Sequence, residues 1–171
     1  NQYTFRPVKV ILAKNLVGKQ FGKGFFASTE PADFENFKEG DKNIPYQIVA
    51  ECKGADLVGI RYEQLMPLAL PYQNPENAFR VISGDFVTTE DGTGIVHIAP
   101  SFGADDFRVA KQNNIGSLTL VDKEGKFVDG VGPFSGLFVK NYKDDEKWEN
   151  PDVLIAIHLK ETNRAFKVEK Y

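Results

Sequence analysis

Gly92-Thr93-Gly94-Ile95-Val96-His97-Ile98-Ala99-Pro100-Ser101-Phe102-Gly103-Ala104-Asp105-Asp106 carries more structural information than any other part of this chain. It reads as a glycine turn, a short buried strand, a kinked loop and the acidic first turn of a helix. Ile95, Val96 and Ile98 are β-branched and favour a pleated, packed strand. Pro100 keeps the residue before it out of helical geometry, so the strand is expected to stop near Ala99. Gly103 restarts the chain. Phe107, Val109 and Ala110 then supply the apolar positions of a helix that is expected to carry Arg108 and Lys111 outward. Asp105 and Asp106 fall in its first turn, where the positive end of the helix dipole stabilises a carboxylate by ~0.3–1 kcal/mol. An imidazole leaving a strand end and carboxylates entering a helix start have the makings of a polar pocket.

On either side of that stretch, turn residues divide the chain into many short elements. Val8–Leu12, Tyr46–Cys52, Phe79–Ile82 and Phe86–Thr89 read as strands, and residues 13–21 as a short helix. Gly54–Gly59 reads as one helical turn, and residues 67–75 as a proline-rich loop. Leu118–Asp122 and Phe127–Val128 flank a hairpin turn at Lys123-Glu124-Gly125-Lys126. Asn150 or Asp152 caps a helix that runs to about Thr162, and residues 166–171 alternate as a last strand. Many short strands with few helices predict a β-rich α+β domain.

Composition excludes several classes. The chain has 171 residues, enough for one domain with its own core. No run approaches the ~20 apolar residues of a membrane helix, and no signal peptide is visible. Cys52 is the single cysteine, which rules out an internal disulfide and fits a reducing, cytoplasmic setting. With two histidines, His97 and His158, the usual zinc ligand sets cannot be assembled, so no metal is expected. The net charge of −3 lacks the bias of a stand-alone nucleic-acid binder. Lys9, Lys14, Lys19 and Lys23, with Lys160, Arg164, Lys167 and Lys170, form either small basic patches or ordinary solubilising surface. The chain does not begin with Met and reads as an excised fragment.

The Gly-Thr-Gly-x-Val-His-x-Ala-Pro-x-x-Gly-x-Asp-Asp pattern of residues 92–106 resembles the signature of the editing domain inserted into isoleucyl-tRNA synthetases. The form Ser101-Phe102-Gly103-Ala104-Asp105-Asp106 is more similar to the eukaryotic-like branch. Gly59-Ile60-Arg61-Tyr62-Glu63 with Leu65 and Pro67 resembles a second segment of that family, and Gly132-Pro133-Phe134 with Gly136-Leu137 a third. Asn15-Leu16-Val17 and Ala165-Phe166-Lys167-Val168-Glu169-Lys170-Tyr171 fit as well, so the likeness runs through residues 1–171. It implies a distorted β-barrel core with short helices on its rim, as one editing domain.

The resemblance also implies a chemistry. One methylene in an apolar pocket is worth only ~1–3 kcal/mol, a limit for which the isoleucyl enzymes are themselves the standard illustration. Valine therefore slips through, and a second, smaller pocket hydrolyses the ester joining it to tRNA(Ile). The activity implied is an aminoacyl-tRNA ester hydrolase, proofreading after transfer, with proofreading before transfer as a further option. By the resemblance Asp106 binds the substrate's amino group, as a charge-assisted pair in a partly desolvated cleft does well. His97 lines the amino-acid pocket and helps to exclude the cognate side chain; a neutral imidazole can also position water or a ribose hydroxyl. Thr93, Gly94 and Ala99 are candidates for the pocket wall. Each has a plainer alternative: Asp105 and Asp106 as helix-end charges, His97 as a packed histidine, Thr93 as a turn closer.

The implied partners are the tRNA(Ile) 3′ end with its noncognate amino acid and the catalytic core of the same polypeptide, without a membrane. The domain itself is expected to need no cofactor, ATP and Mg²⁺ belonging to the parent enzyme. The family's threonine-rich strand, which lines the opposite side of the pocket, has no counterpart in the sequence; Thr88-Thr89 is not that motif. The fragment alone is accordingly expected to be weakly active or inactive. Two alternatives stand beside this. A valyl-enzyme editing domain would clear threonine, but it usually has lysine at the position of His97. A non-catalytic tRNA-docking insertion would have lost the chemistry.

Overall fold

Short runs bounded by Gly, Pro and polar caps become single helical turns here, and longer apolar runs become extended chain. The computed structural model describes residues 1–169, so Lys170 and Tyr171, the end of the expected last strand, lie outside the described residues. The chain divides into two compact units. The first comprises Asn1–Asp56, Asp85–His97 and Lys160–Tyr171; the second comprises Leu57–Gly84 and Ile98–Leu159.

In the first unit a 3₁₀ turn over Lys14–Leu16 runs into helix α1, Val17–Gln20, matching the short helix expected there. Leu16 is buried beneath it. Strand β1, Phe25–Ala27, pairs in parallel with strand β2, Ile44–Tyr46, in the register Phe25–Ile44, Phe26–Pro45 and Ala27–Tyr46. A parallel pair needs a crossover, and this one holds helix α2, Pro31–Glu35, with Pro31 in its first turn. Pro45 lacks an N–H, which a strand at a sheet edge tolerates. The unit is held by rings: Phe21 lies 4.7 Å from Tyr46, 5.1 Å from Phe25 and 5.3 Å from Phe166 between centroids. The Asn1 side-chain amide donates to the Ala165 carbonyl at 2.9 Å, tying the two ends of the chain.

The second unit contains helix α3, Ala104–Gln112, and most of helix α4, Pro151–Glu161. The expected hairpin is present: Val121 bridges Phe127, and Asp122 N–H donates to the Lys126 carbonyl at 2.8 Å. Asp122 Oδ1 closes the turn by accepting the N–H groups of Glu124 and Lys126. Phe127 N–H reaches Leu137 O at 2.9 Å, adding a third segment over buried Phe134. Residues 59–62 pair with residues 79–81 through the Arg61–Arg80 bridge and flanking bonds. Asn150 Oδ1 accepts the Asp152 N–H at 3.0 Å, which settles the cap of α4 in favour of Asn150. Trp148 packs, its indole N–H donating to Phe138 O at 2.9 Å.

Several expected strands differ. Val8–Leu12 forms no ladder and leaves Ile11 exposed. The strand read over Tyr46–Cys52 lies upstream, ending at Tyr46, with Ile48 and Val49 exposed beyond it. Residues 86–89 form no strand. A β-branched run specifies extended backbone, but a partner must supply the ladder, and the partner is not encoded locally. Among the described residues, regular pairing is limited to the two-stranded parallel sheet and isolated antiparallel bridges.

Candidate functional site

The Gly-Thr-Gly turn belongs to the first unit and docks on the 3₁₀ turn and α1. Ala13 N–H donates to Thr93 O at 2.8 Å, Asn15 Nδ2 to Thr89 O at 2.7 Å and Gln20 Nε2 to Gly92 O at 2.7 Å. Lys19 pairs with Asp91. That hydrogen bond, helped by the Gly92 N–H, holds the Asp91 carboxyl below the usual aspartate range. Gly94 sits at φ +76°, and a Cβ there would lie 2.7 Å from Ala13 Cβ, so backbone conformation and close approach both require glycine. Thr93 uses its hydroxyl within the turn, donating to Ile95 O at 2.9 Å and accepting from Ile95 N–H at 3.3 Å. Its hydroxyl is thus engaged within the turn itself. Residues 95–99 continue extended but outside any ladder, and Ile95, Val96 and His97 are exposed. The expected burial of this segment is corrected: those three residues are exposed and Ile98 and Ala99 only partly covered.

The second half of the motif belongs to the second unit. Phe102 N–H donates to Ala99 O at 2.9 Å, turning the chain after Pro100, and Ser101 Oγ fastens the turn to Leu118 O at 2.9 Å. Gly103 is the N-cap of α3, with no side-chain cap, and Asp105 and Asp106 occupy the first turn as expected. Helical periodicity separates their environments. Asp106 shares a face with Val109 and Ala110, three and four residues on, both only 1% exposed, and is itself half-buried. Asp105 faces Arg108, whose Nη2 donates to its Oδ1 at 3.0 Å. Asp106 has no ion-pair partner among the described residues. Phe107, expected on the apolar face, is exposed, and Arg108 is partly buried. Two residues span about 200° of helix, so Phe107 and Val109 cannot share a side.

Thr93, Gly94 and His97 thus fall in the first unit, and Ala99 and Asp106 in the second. His158 is exposed on α4. The sequence did not single out the docking amides of Asn15 and Gln20 or the close approach at Gly103. Their signal is faint: polar side chains on a short helix, and a glycine at a cap where Ser or Asp is usual. Among the described residues no group of three or more His, Cys, Asp or Glu is placed to hold a metal ion.

No protein-family model matches the chain. It is 52% identical to an isoleucine–tRNA ligase of Cytophaga hutchinsonii over 195 residues, covering all of this chain and 17% of the relative. It is 44% identical to that of Bacteroides fragilis over 201 residues, again all of this chain and 17% of the relative. The chain belongs with the isoleucine–tRNA ligases, as a segment of their length. It spans about a sixth of the relatives it matches. An isoleucine–tRNA ligase of Picrophilus torridus matches at 48% identity over 72% of the chain and 11% of the relative.

Proposed function

We propose that this segment is the proofreading domain of an isoleucine–tRNA ligase, hydrolysing valyl-tRNA(Ile) after transfer. The fold that goes with this reading is a β-rich, barrel-like core with short peripheral helices, and the phenylalanine form of the motif, at Phe102, favours the eukaryotic-like branch. The observation that carries the reading is the split between the two aspartates of α3. Asp105 is engaged by Arg108, while Asp106 presents a half-buried carboxylate with no ion-pair partner among the described residues. A carboxylate so placed has its charge available to an α-ammonium, and a partly desolvated site strengthens such a pair. His97, exposed in its own unit, is the side chain proposed to meet the amino-acid side chain. Adenylation, with its ATP and Mg²⁺, belongs in this reading to other parts of the ligase-length protein, and tRNA(Ile) is the partner.

The test is deacylation of valyl-tRNA(Ile) and isoleucyl-tRNA(Ile) by the ligase-length protein and its Asp106→Ala variant. Loss of the anchoring pair is expected to slow valine clearance roughly 100-fold or more, in line with what misplacing a reacting group costs. Mischarged tRNA should accumulate while isoleucylation is kept. Unchanged valine clearance would reduce Asp106 to a helix-end charge.

A further inference from the structure

Gly103 is not a glycine for the usual reason. Its φ of −144° and ψ of 141° are extended backbone that any residue adopts. As an N-cap it forgoes the side-chain oxygen that Ser, Thr, Asp or Asn would offer to the first turn, and no side chain caps α3. Neither conformation nor helix stability therefore asks for glycine. What fills the missing side chain's place is the Asp106 carboxylate. A Cβ on Gly103 would lie 3.0 Å from Asp106 Cγ and 3.4 Å from its Cβ, and would collide with Oδ2. The carboxylate is only partly covered, so it rests beside Gly103 with room to turn elsewhere. Its helix face is the one buried through Val109 and Ala110, and Phe107 N–H closes the first helical turn onto Gly103 O at 2.8 Å.

We propose that Gly103 is a positioning residue: the absence of a Cβ lets the Asp106 carboxylate lie back over the start of α3, and this sets the place where a substrate ammonium is held. The proposal rests on the reading of Asp106 as the ammonium-binding carboxylate. Any side chain at 103 swings that carboxylate to another rotamer. The obstructing atoms are the end of a flexible side chain, so the fold accommodates the change while the charge moves by more than an ångström-scale tolerance allows.

The experiment combines Gly103→Ala, Asp106→Asn and the double variant in the ligase-length protein. It reads valyl-tRNA(Ile) deacylation, the thermal unfolding midpoint, and the Asp106 side-chain position in a crystal structure of Gly103→Ala. Gly103→Ala is expected to lose roughly 10–100-fold in deacylation, with an unchanged midpoint and a displaced carboxylate, and to add less than about twofold in the Asp106→Asn background, as coupled sites do. Equal losses in both backgrounds, or a carboxylate that stays in place, would overturn the proposal. If Asp106→Asn itself deacylates normally, the reading of Asp106 fails instead, and the crystallographic position still decides whether Gly103 sets the carboxylate.

Discussion

Gly94 shows how one residue ties a motif to its scaffold. It lies in the left-handed region, its Cα facing Ala13, and the peptide on one side of it is bonded to the Ala13 N–H. Alanine at this position meets two penalties. Holding a non-glycine residue at positive φ costs about 1–3 kcal/mol, and a Cβ 2.7 Å from that of Ala13 requires one backbone to retreat. Gly94→Ala is therefore expected to destabilise the chain by about 2–3 kcal/mol, with the loss centred on the docked turn. Denaturant unfolding measures the total, and hydrogen exchange at the Ala13 amide localises it. An Ala13 amide as protected as before would mean that the turn does not depend on this contact. Asp105 and Asp106 teach the complementary lesson: adjacent, chemically identical residues differ because helical periodicity gives one a cation and the other two buried neighbours.

At the scale of elements, the C-terminal end of α3 is fixed by side chains from outside it. Arg80 reaches its C-terminus, donating from Nε to Asn77 O at 2.9 Å and from Nη2 to Asn113 O at 3.0 Å. Asn74 and Asn114, both left-handed, join through their side-chain amides at 3.0 Å, and Asn77 Nδ2 reaches Asn114 O at 2.9 Å. A cation at a helix C-terminus also meets the negative end of the dipole. Arg80→Met keeps the apolar stem and removes the donors, so it is expected to cost about 1–2 kcal/mol. Urea unfolding should show a lower midpoint at constant slope, with faster amide exchange at Asn113 and Asn114; an unshifted midpoint would mark the latch as ornamental.

Elements with local punctuation were legible in the sequence. Gly103 and the acidic pair announced α3, Asn150-Pro151 announced α4, and Lys123–Lys126 the hairpin, because caps and turns act within a few residues. Strands were not, because pairing is non-local. The alternation of Val8–Leu12 fixes an extended backbone and no partner, whereas β2 carries a proline that argues against a strand and pairs nonetheless. In the candidate site the acidic first turn could be read directly. The unequal surroundings of its two aspartates, and the exposure of His97, depend on neighbours that the local pattern does not name.

For the molecule as a whole, burial is the informative quantity. The buried apolar side chains among the described residues are few and mostly small: Leu16, Ala78, Val109, Ala110, Val131, Phe134, Pro151 and Ala165. Ile11, Val49, Leu70, Tyr72 and Phe102, by contrast, are each more than half exposed. Fully burying a side chain of this size contributes roughly 1.5–3 kcal/mol, so these five leave a sum comparable with the entire net stability of an ordinary domain, about 5–15 kcal/mol. The 171-residue segment on its own is therefore expected to lie at or below the lower end of that range. It should bind a hydrophobic dye such as ANS in its native state and show a low denaturant midpoint. Hydroxyl-radical labelling supplies the comparison, because Tyr72 and Phe102 are reactive aromatic side chains. Both should label heavily in the isolated segment and less in a ligase-length protein if the rest of that protein supplies the missing apolar contacts. Equal labelling, together with a dye-silent and stable isolated segment, would show that the small core suffices and that these side chains are ordinary surface.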